Sequence, residues 1–439
     1  MLDDTAENVA QVHLGSEVLT FAWAPSDRHS VRCMDLCGAI GRYYSYRAMK
    51  LPVALALTMF AATAPAQQAA PSRSRSWDPA AAAAYLDKRM DLWFTYGTEL
   101  KTGDTKAACV ACHAGLAYAL SRPVLRRVMH VDVPAAQEAK LIDDTKRRVE
   151  TYGTHQLLYE FSEPKKIESR GTEAVLNAVI LTSADAARNL HEPSEPTKKA
   201  LARLWETQRA DGRWDWLDFG LEPWETVDSG YHGATYAAFA VGTAKGQHDA
   251  AATAGIARLR SYLSTNYESQ HLYNRTWALL ASTRLENVVT AAQRKALIAE
   301  LVRAQRKDGG WSLQAMGPWR WSKTAPPFKA PGELDESLLS ESDGYATGLV
   351  VYTLEQAGVS RSDAAVRKGI QWLEANQHAL PVPDVPGRGW QTYSLNYDRE
   401  HGSLHYDSAL RGEKGEPWRR LFMSDTATAF AILALAEDE

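Results

Sequence analysis

From residue 80 onward, apolar residues recur at helical spacing in segments of two alternating kinds, and that alternation leaves few folds open. One kind is amphipathic, over about 80–95, 136–152, 196–208, 250–264, 290–306 and 362–377. The other is smaller in side chain and more apolar. Its six starts read Cys112-His113-Ala114-Gly115-Leu116-Ala117, Gly171-Thr172-Glu173-Ala174-Val175-Leu176, Tyr231-His232-Gly233-Ala234-Thr235, Asn274-Arg275-Thr276-Trp277-Ala278, Asp343-Gly344-Tyr345-Ala346-Thr347-Gly348 and Asp425-Thr426-Ala427-Thr428-Ala429. A pair recurs every roughly 45–80 residues, the mark of a repeat architecture. With no strand pattern between the pairs, the expected fold class is all-α, an (α/α)6 toroid of six helix pairs over 80–439. Its inner helices would be buried on both sides, which explains why 427–435 is apolar almost all round.

The loops carry a second repeat. Leu204-Trp205-Glu206-Thr207-Gln208-Arg209-Ala210-Asp211-Gly212-Arg213-Trp214 is matched by Leu301-Val302-Arg303-Ala304-Gln305-Arg306-Lys307-Asp308-Gly309-Gly310-Trp311, and loosely by Trp372 through Gln377 to Gly389-Trp390. Glycine permits a left-handed helix cap, and a buried indole N–H needs an acceptor, so these residues read as architecture. The Gln…Gly-x-Trp pattern resembles the repeat of squalene-hopene cyclases and related prenyltransferase-type α/α toroids, over roughly 135–436. The resemblance implies that each Gln bridges its helix end and the Trp of its own turn, tying neighbouring helix pairs together.

The same family protonates an isoprenoid alkene with an Asp-x-Asp-Asp motif, and no such motif occurs here. Phe422-Met423-Ser424-Asp425-Thr426-Ala427 keeps only the last Asp and the following Thr-Ala. Asp425, Asp343 and Asp228 each precede an apolar helix and read as N-caps, with Asp425 or Asp343 the candidate general acid of a haem-free terpenoid cyclase or isomerase. A diphosphate-binding motif is also missing, because Asp143-Asp144 is followed by Thr-Lys-Arg.

Cys109-Val110-Ala111-Cys112-His113 has the attachment sequence of c-type haem. In it Cys109 and Cys112 would form thioethers to the vinyl groups, and His113 would be the proximal iron ligand. The approach from Gly97-Thr98-Glu99-Leu100 also resembles the segment leading into cytochrome c haem sites. A redox-active disulfide, a zinc site with one further ligand and a plain structural disulfide are the rival readings. For the sixth ligand the candidates are His232, Met129 and His130, and His232 with Arg275 would supply polar groups on the distal side. Between Trp311 and Asp343, and from Leu380 to Trp418, lie long inserts. Their aromatics Trp319, Trp321, Trp390, Tyr393, Tyr397, Tyr406 and Trp418 read equally as a lid or as packing of the barrel end.

Residues 1–48 show no sustained period. Arg47-Ala48-Met49-Lys50 then leads into the apolar stretch Leu51–Phe60 and Ala64-Pro65-Ala66, the pattern of a secretory signal over 49–66 with cleavage near Ala66. Translation is expected to begin at Met49, with 1–48 a mis-called start; the alternative is a real extension containing a buried apolar strand. Residues 67–79 read as a flexible leader. Of the four cysteines, Cys33, Cys37, Cys109 and Cys112, cleavage would leave only the two in the haem motif.

A net charge of −4 offers no footprint for nucleic acid, and no apolar run reaches the roughly 18 residues of a membrane span. The 14 Trp and 18 Tyr suit stacked layers or an aromatic cavity. The expected function is therefore an exported, periplasmic toroid carrying covalent haem c. It would bind an apolar, isoprenoid-like molecule and perform or relay redox chemistry with a redox partner. A non-catalytic binding scaffold is the third reading.

Overall fold

The computed structural model describes residues 8–14, 17–23, 76–96, 99–102, 105–108, 110–154, 162–219, 222–244, 246, 249–319, 341–380, 384–392, 395 and 422–436. The chain divides into two units, 1–72 and 73–439. In the first, β1 (Asn8–Leu14) and β2 (Glu17–Trp23) form an antiparallel hairpin with Asn8 opposite Trp23 and Leu14 opposite Glu17. Each strand is only 7 residues long, too short to register as a sustained period. The signal-like segment 49–66 and the aromatics Trp321, Tyr393, Tyr397, Tyr406 and Trp418 lie outside the described residues.

The second unit alternates outer and inner helices: α1 (Pro79–Tyr96), α2 (Gly115–Val128), α3 (Ala136–Glu150), α4 (Glu163–Ala187), α5 (Glu195–Thr207), α6 (Ser229–Thr243), α7 (Ala250–Asn266), α8 (Leu272–Ser282), α9 (Ala291–Arg303), α10 (Gly344–Gln356), α11 (Ala364–Ala375) and α12 (Phe422–Leu435). The even-numbered helices touch in sequence order, and α12 then touches α2, so six inner helices close a ring. Each odd-numbered helix packs on this ring, α1 against both α2 and α12 where the ends meet. The protein is an all-α (α/α)6 toroid, as the alternation predicts. None of the described helices is long and apolar enough to cross a membrane.

The outer-helix boundaries fall within three residues of those expected, and four inner helices start early, α6 and α8 by only two residues. The helix α4 begins at Glu163, eight residues before Gly171, because Ser162 caps Lys165 N and Pro164 sits in the first turn. Its first two turns are polar and carry no apolar period. The helix α12 begins at Phe422, which puts Asp425 inside the first turn and not at the cap. A short hairpin, β3 (Glu99–Thr102) with β4 (Thr105–Ala108), stands between α1 and α2. Trp77 and Asp78, at the end of the stretch read as a leader, already belong to the domain: Trp77 is buried against Trp390, ring centres 6.0 Å apart.

The Gln…Trp repeat is structural, though not in the way the resemblance implies. Trp214, Trp311 and Trp390 are buried, and each indole donates to a carbonyl in the last turn of its own outer helix: Leu204 O at 2.8 Å, Leu301 O at 2.8 Å and Leu373 O at 2.7 Å. The carbonyls of Leu204 and Leu301 lie past the regular ladder, and that of Leu373 accepts only the tighter bond from Asn376 N at 3.2 Å; each has room for the indole, which leaves the Gln free to reach across. Gln208 donates to Gly212 O and to Gly255 O of α7, both at 3.0 Å. Gln305 does the same to Gly309 O and Ala365 O of α11, both at 2.8 Å. The turns need their glycines, since Gly212 and Gly309 sit at φ +98° and +96°. Gln377, from the loose third copy, closes the circle by exchanging two bonds with the backbone of Asp78. Trp390, which also read as a lid residue, is therefore part of the frame.

Candidate functional site

Cys112, His113 and Ala114 form a turn that leads into α2. The turn is pinned to the end of the ring, because Thr426 Oγ1 of α12 donates to His113 O at 2.6 Å. Cys112 is buried, its Sγ 3.9 Å from Glu225 Oε1 in the loop before α6. The His113 ring meets the edge of Trp93 at 5.5 Å and an interplanar angle of 88°, and lies 6.3 Å from Trp224. Its Nδ1 is inaccessible to solvent. Burial, helped by the charge of Arg89, pushes the imidazole down to about 3, so it is neutral at physiological pH.

Glu225 is half-buried as a residue, yet its carboxyl is enclosed. Burial lifts it to about 7, while Lys165 and the Cys112 contact pull it down. At neutral pH this carboxyl is therefore divided between its acid and its carboxylate.

From His113 the aromatic contacts continue across the rim. Trp224 lies 5.7 Å from Tyr345, whose hydroxyl is 2.8 Å from that of Tyr273. Tyr273 lies 5.2 Å from His232 and 5.5 Å from Trp319. His232 is fully buried among Trp216, Tyr236, Tyr273 and Trp277, and neither ring nitrogen has a hydrogen-bond partner among the described residues. Burial first, then His271, drives it down to about 3.

The structure thus brings Cys112, His113 and His232 to one rim, and sends the other expected site residues elsewhere. Arg275 points outward, forking onto Glu300 of α9 with both bonds at 2.7 Å. It supplies no group to the distal side, because an outer-helix carboxylate takes the whole fork. Asp425 accepts from Tyr85 at 2.9 Å and from Arg89 at 2.6 and 2.9 Å, so both its oxygens serve the outer helix α1. Asp343 is the cap it resembled: Tyr345 N, Ala346 N and Thr392 Oγ1 donate to one oxygen and Leu313 N to the other. These four bonds favour the carboxylate and spend it on holding the helix end, while burial pushes the group the other way, upward. Asp228 occupies the N-cap position of α6 without a side-chain capping bond.

Met129 and His130 follow the far end of α2, a helix of 14 residues and so about 21 Å long. They lie away from His113 and are not its axial partners. Trp224 and Glu225 end the aromatic loop Trp214–Glu225, which the sequence sets at the same end of the barrel without assigning either a role, and Trp93 carries no sequence signal of its own; only the ring closure aims all three at His113.

The donor set suits haem c, with a cysteine thiol beside an imidazole already in its metal-binding neutral form. Flat aromatic walls of this kind are what a macrocycle packs against. Cys109 lies outside the described residues, and so does the geometry of the dithiol reading. Among the described residues, no three His, Cys, Asp or Glu side chains cluster as a metal cage.

No protein-family model matches the chain, and neither does any curated protein. Solved structures similar to it include an unsaturated glucuronyl hydrolase from Bacillus sp. GL1, described as responsible for the degradation of glycosaminoglycan. It is 10% identical over 78% of this chain and 99% of that one, with a TM-score of 0.44. A type II terpene cyclase from Scytonema is 13% identical over 81% and 96%, with a TM-score of 0.40. A glycosidase is 14% identical over 82% and 98%, with a TM-score of 0.43. The closed ring of inner helices described above stands on its own contacts.

Proposed function

We propose that this chain is an exported toroid protein that holds haem c through Cys109, Cys112 and His113 and uses the inner-helix rim for redox or electron-transfer chemistry beside an apolar ligand. The observation that carries the reading is His113: an imidazole next to Cys112, kept neutral by burial, between Trp93 and Trp224. Haem supplies one-electron chemistry when bound. Attachment to C-x-x-C-H takes place outside the cytoplasm, so the signal-like segment 49–66 supports the same reading.

The chain's own residues have definable roles. Arg89 and the surrounding apolar groups keep a proton off His113. Trp93 and Trp224 exclude water from it. Glu225 can hold or release a proton beside Cys112 near neutral pH. Trp224, Tyr345, Tyr273 and the half-buried Trp319 form a series of rings spaced 5.5–6.1 Å apart, leading from His113 toward a redox partner at the surface. The aromatic cage around His232 offers an apolar ligand two polar groups without a hydrogen-bond partner among the described residues, the His232 imidazole and Trp277 Nε1.

Expression of the full chain in a host with c-type haem maturation tests the proposal. A pyridine haemochrome band that survives denaturation, with the matching added mass, is expected; Cys112→Ala should lose one thioether and shift the band. Purified exported protein with no covalent haem overturns the reading.

A further inference from the structure

At the face away from Cys112 and His113, the C-terminal ends of five inner helices, with Arg284 just past the end of α8, surround a cavity of about 850 Å³. One part of its wall is apolar, built from Leu120, Val124, Phe239, Tyr352 and Leu433, and about half of the lining is polar. Its charged lining is three guanidiniums, Arg127, Arg284 and Arg361, against the single acid Glu355. Basic residues at helix C-termini complement the helix dipole, and Arg361 does that work: it pairs with Glu355 at 2.8 Å and donates to Ala434 O and Ala436 O at 3.3 Å. The other two go beyond it. Arg284 lies across the Phe239 ring, its one side-chain bond going to the neutral Gln356 at 2.9 Å. The guanidinium of Arg127 has no partner among the described residues. Ser183 also lines the cavity, with a buried Oγ that has no hydrogen-bond partner among the described residues.

A hollow with one apolar wall and two uncompensated positive charges at its edge favours one kind of molecule. We propose that this cavity is a second ligand site, for an anionic amphiphile. Its single apolar chain lies on Phe239, Tyr352 and Leu433, and its carboxylate or phosphate head meets Arg127 and Arg284. The volume falls within the range of roughly 300–1,000 Å³ usual for small-molecule pockets. The site is independent of the haem motif, because the ring separates the two faces.

Calorimetric titration of the full chain with dodecanoate, dodecyl phosphate, dodecanol and butyrate, all below micelle formation, tests this. Dodecanoate and dodecyl phosphate should saturate one site, dodecanol should bind about tenfold or more weakly, and butyrate should give no heat. Arg127→Ala with Arg284→Gln should weaken dodecanoate by about tenfold or more and leave dodecanol unchanged. Thr243→Trp, which fills the hollow from a half-buried position, should abolish both; circular dichroism checks that each variant is folded. Equal affinity for dodecanoate and dodecanol overturns the proposal, as does the absence of saturable binding. Sedimentation with anionic vesicles in the absence of monomer binding also overturns it, and would assign the arginines to a membrane-facing surface.

Discussion

Asp425 on α12 and Arg89 on α1 form a two-point ion pair across 336 residues of sequence, at the one place where the ring's first and last elements meet. Both side chains are almost fully buried, and Tyr85 adds a third bond to the same carboxylate. Removing one partner of a buried pair costs about 3–5 kcal/mol, whereas replacing both with apolar groups is often close to neutral. Arg89→Ala should therefore destabilise strongly in urea unfolding, and Arg89→Met combined with Asp425→Leu should recover most of the loss. An Asp425→Asn protein of unchanged stability that lost turnover of an isoprenoid would make Asp425 an acid instead of a latch.

A second closure lies nearby. Asp78 N donates to Gln377 Oε1 at 2.7 Å and Gln377 Nε2 donates to Asp78 O at 2.9 Å. Gln377→Ala removes both bonds, at a net cost of about 1–3 kcal/mol for the two, since Asp78 is exposed and water can take up its freed groups. Gly387→Ala should cost at least as much, because its φ of +92° is strained for alanine and the new Cβ would overlap the Ala81 carbonyl. Thermal melts of both variants, with proteolysis of the α11–α12 connection as a second readout, check this.

Glu225 gives the site a pH dependence. Its folded-state value of about 7 lies above that of an ordinary glutamate, so the stability it favours is present in full below about 4.5 and is lost as pH rises through 7. A shift of that size is worth at most about 3 kcal/mol for the enclosed carboxyl, and less to the extent that the half-buried residue reaches solvent. Glu225→Gln should accordingly gain on the wild type between pH 4.5 and 7. Unfolding midpoints measured at both ends of that window would show it; a constant difference would place the carboxyl in ordinary solvent.

His232 works in the opposite direction. Its folded-state value of about 3 lies below that of free histidine, so its contribution is intact above 6.5 and is lost as pH falls toward 3. The loss at the acid end is of the order of about 4–5 kcal/mol. Replacing it by leucine should flatten the acid limb of the stability curve. The change should be absent above pH 7, apart from a constant packing term.

Spectral titration of the haem-loaded protein supplies a further check. If Glu225 shares its proton with the surroundings of Cys112, the absorption bands should shift with a midpoint near 7, and Glu225→Gln should remove that transition without removing the covalent haem.

The periodic content of the sequence was enough for the architecture. Twelve helices alternating between amphipathic and small-apolar faces have few ways to bury both kinds, and the closed ring follows. The Gln…Trp turns were legible for the same reason, since an indole at a helix end with a glycine after it is a local arrangement. The wiring was not local: the carbonyls of Leu204, Leu301 and Leu373 captured the indoles, and the glutamines went to the neighbouring helix. At the rim, spacing alone placed Cys112, His113, His232, Arg275, Asp343 and Asp425 on equivalent helix starts. Tertiary packing then sorted them by the direction each side chain takes from its helix. Arg275 and Asp425 face outer helices that carry complementary charge, Asp343 turns back on its own helix end, and only His113 and His232 face the aromatic interior. Glu225 and Trp224 joined them from a loop with no period to read, because only the closed ring brings the loop before α6 to the turn before α2.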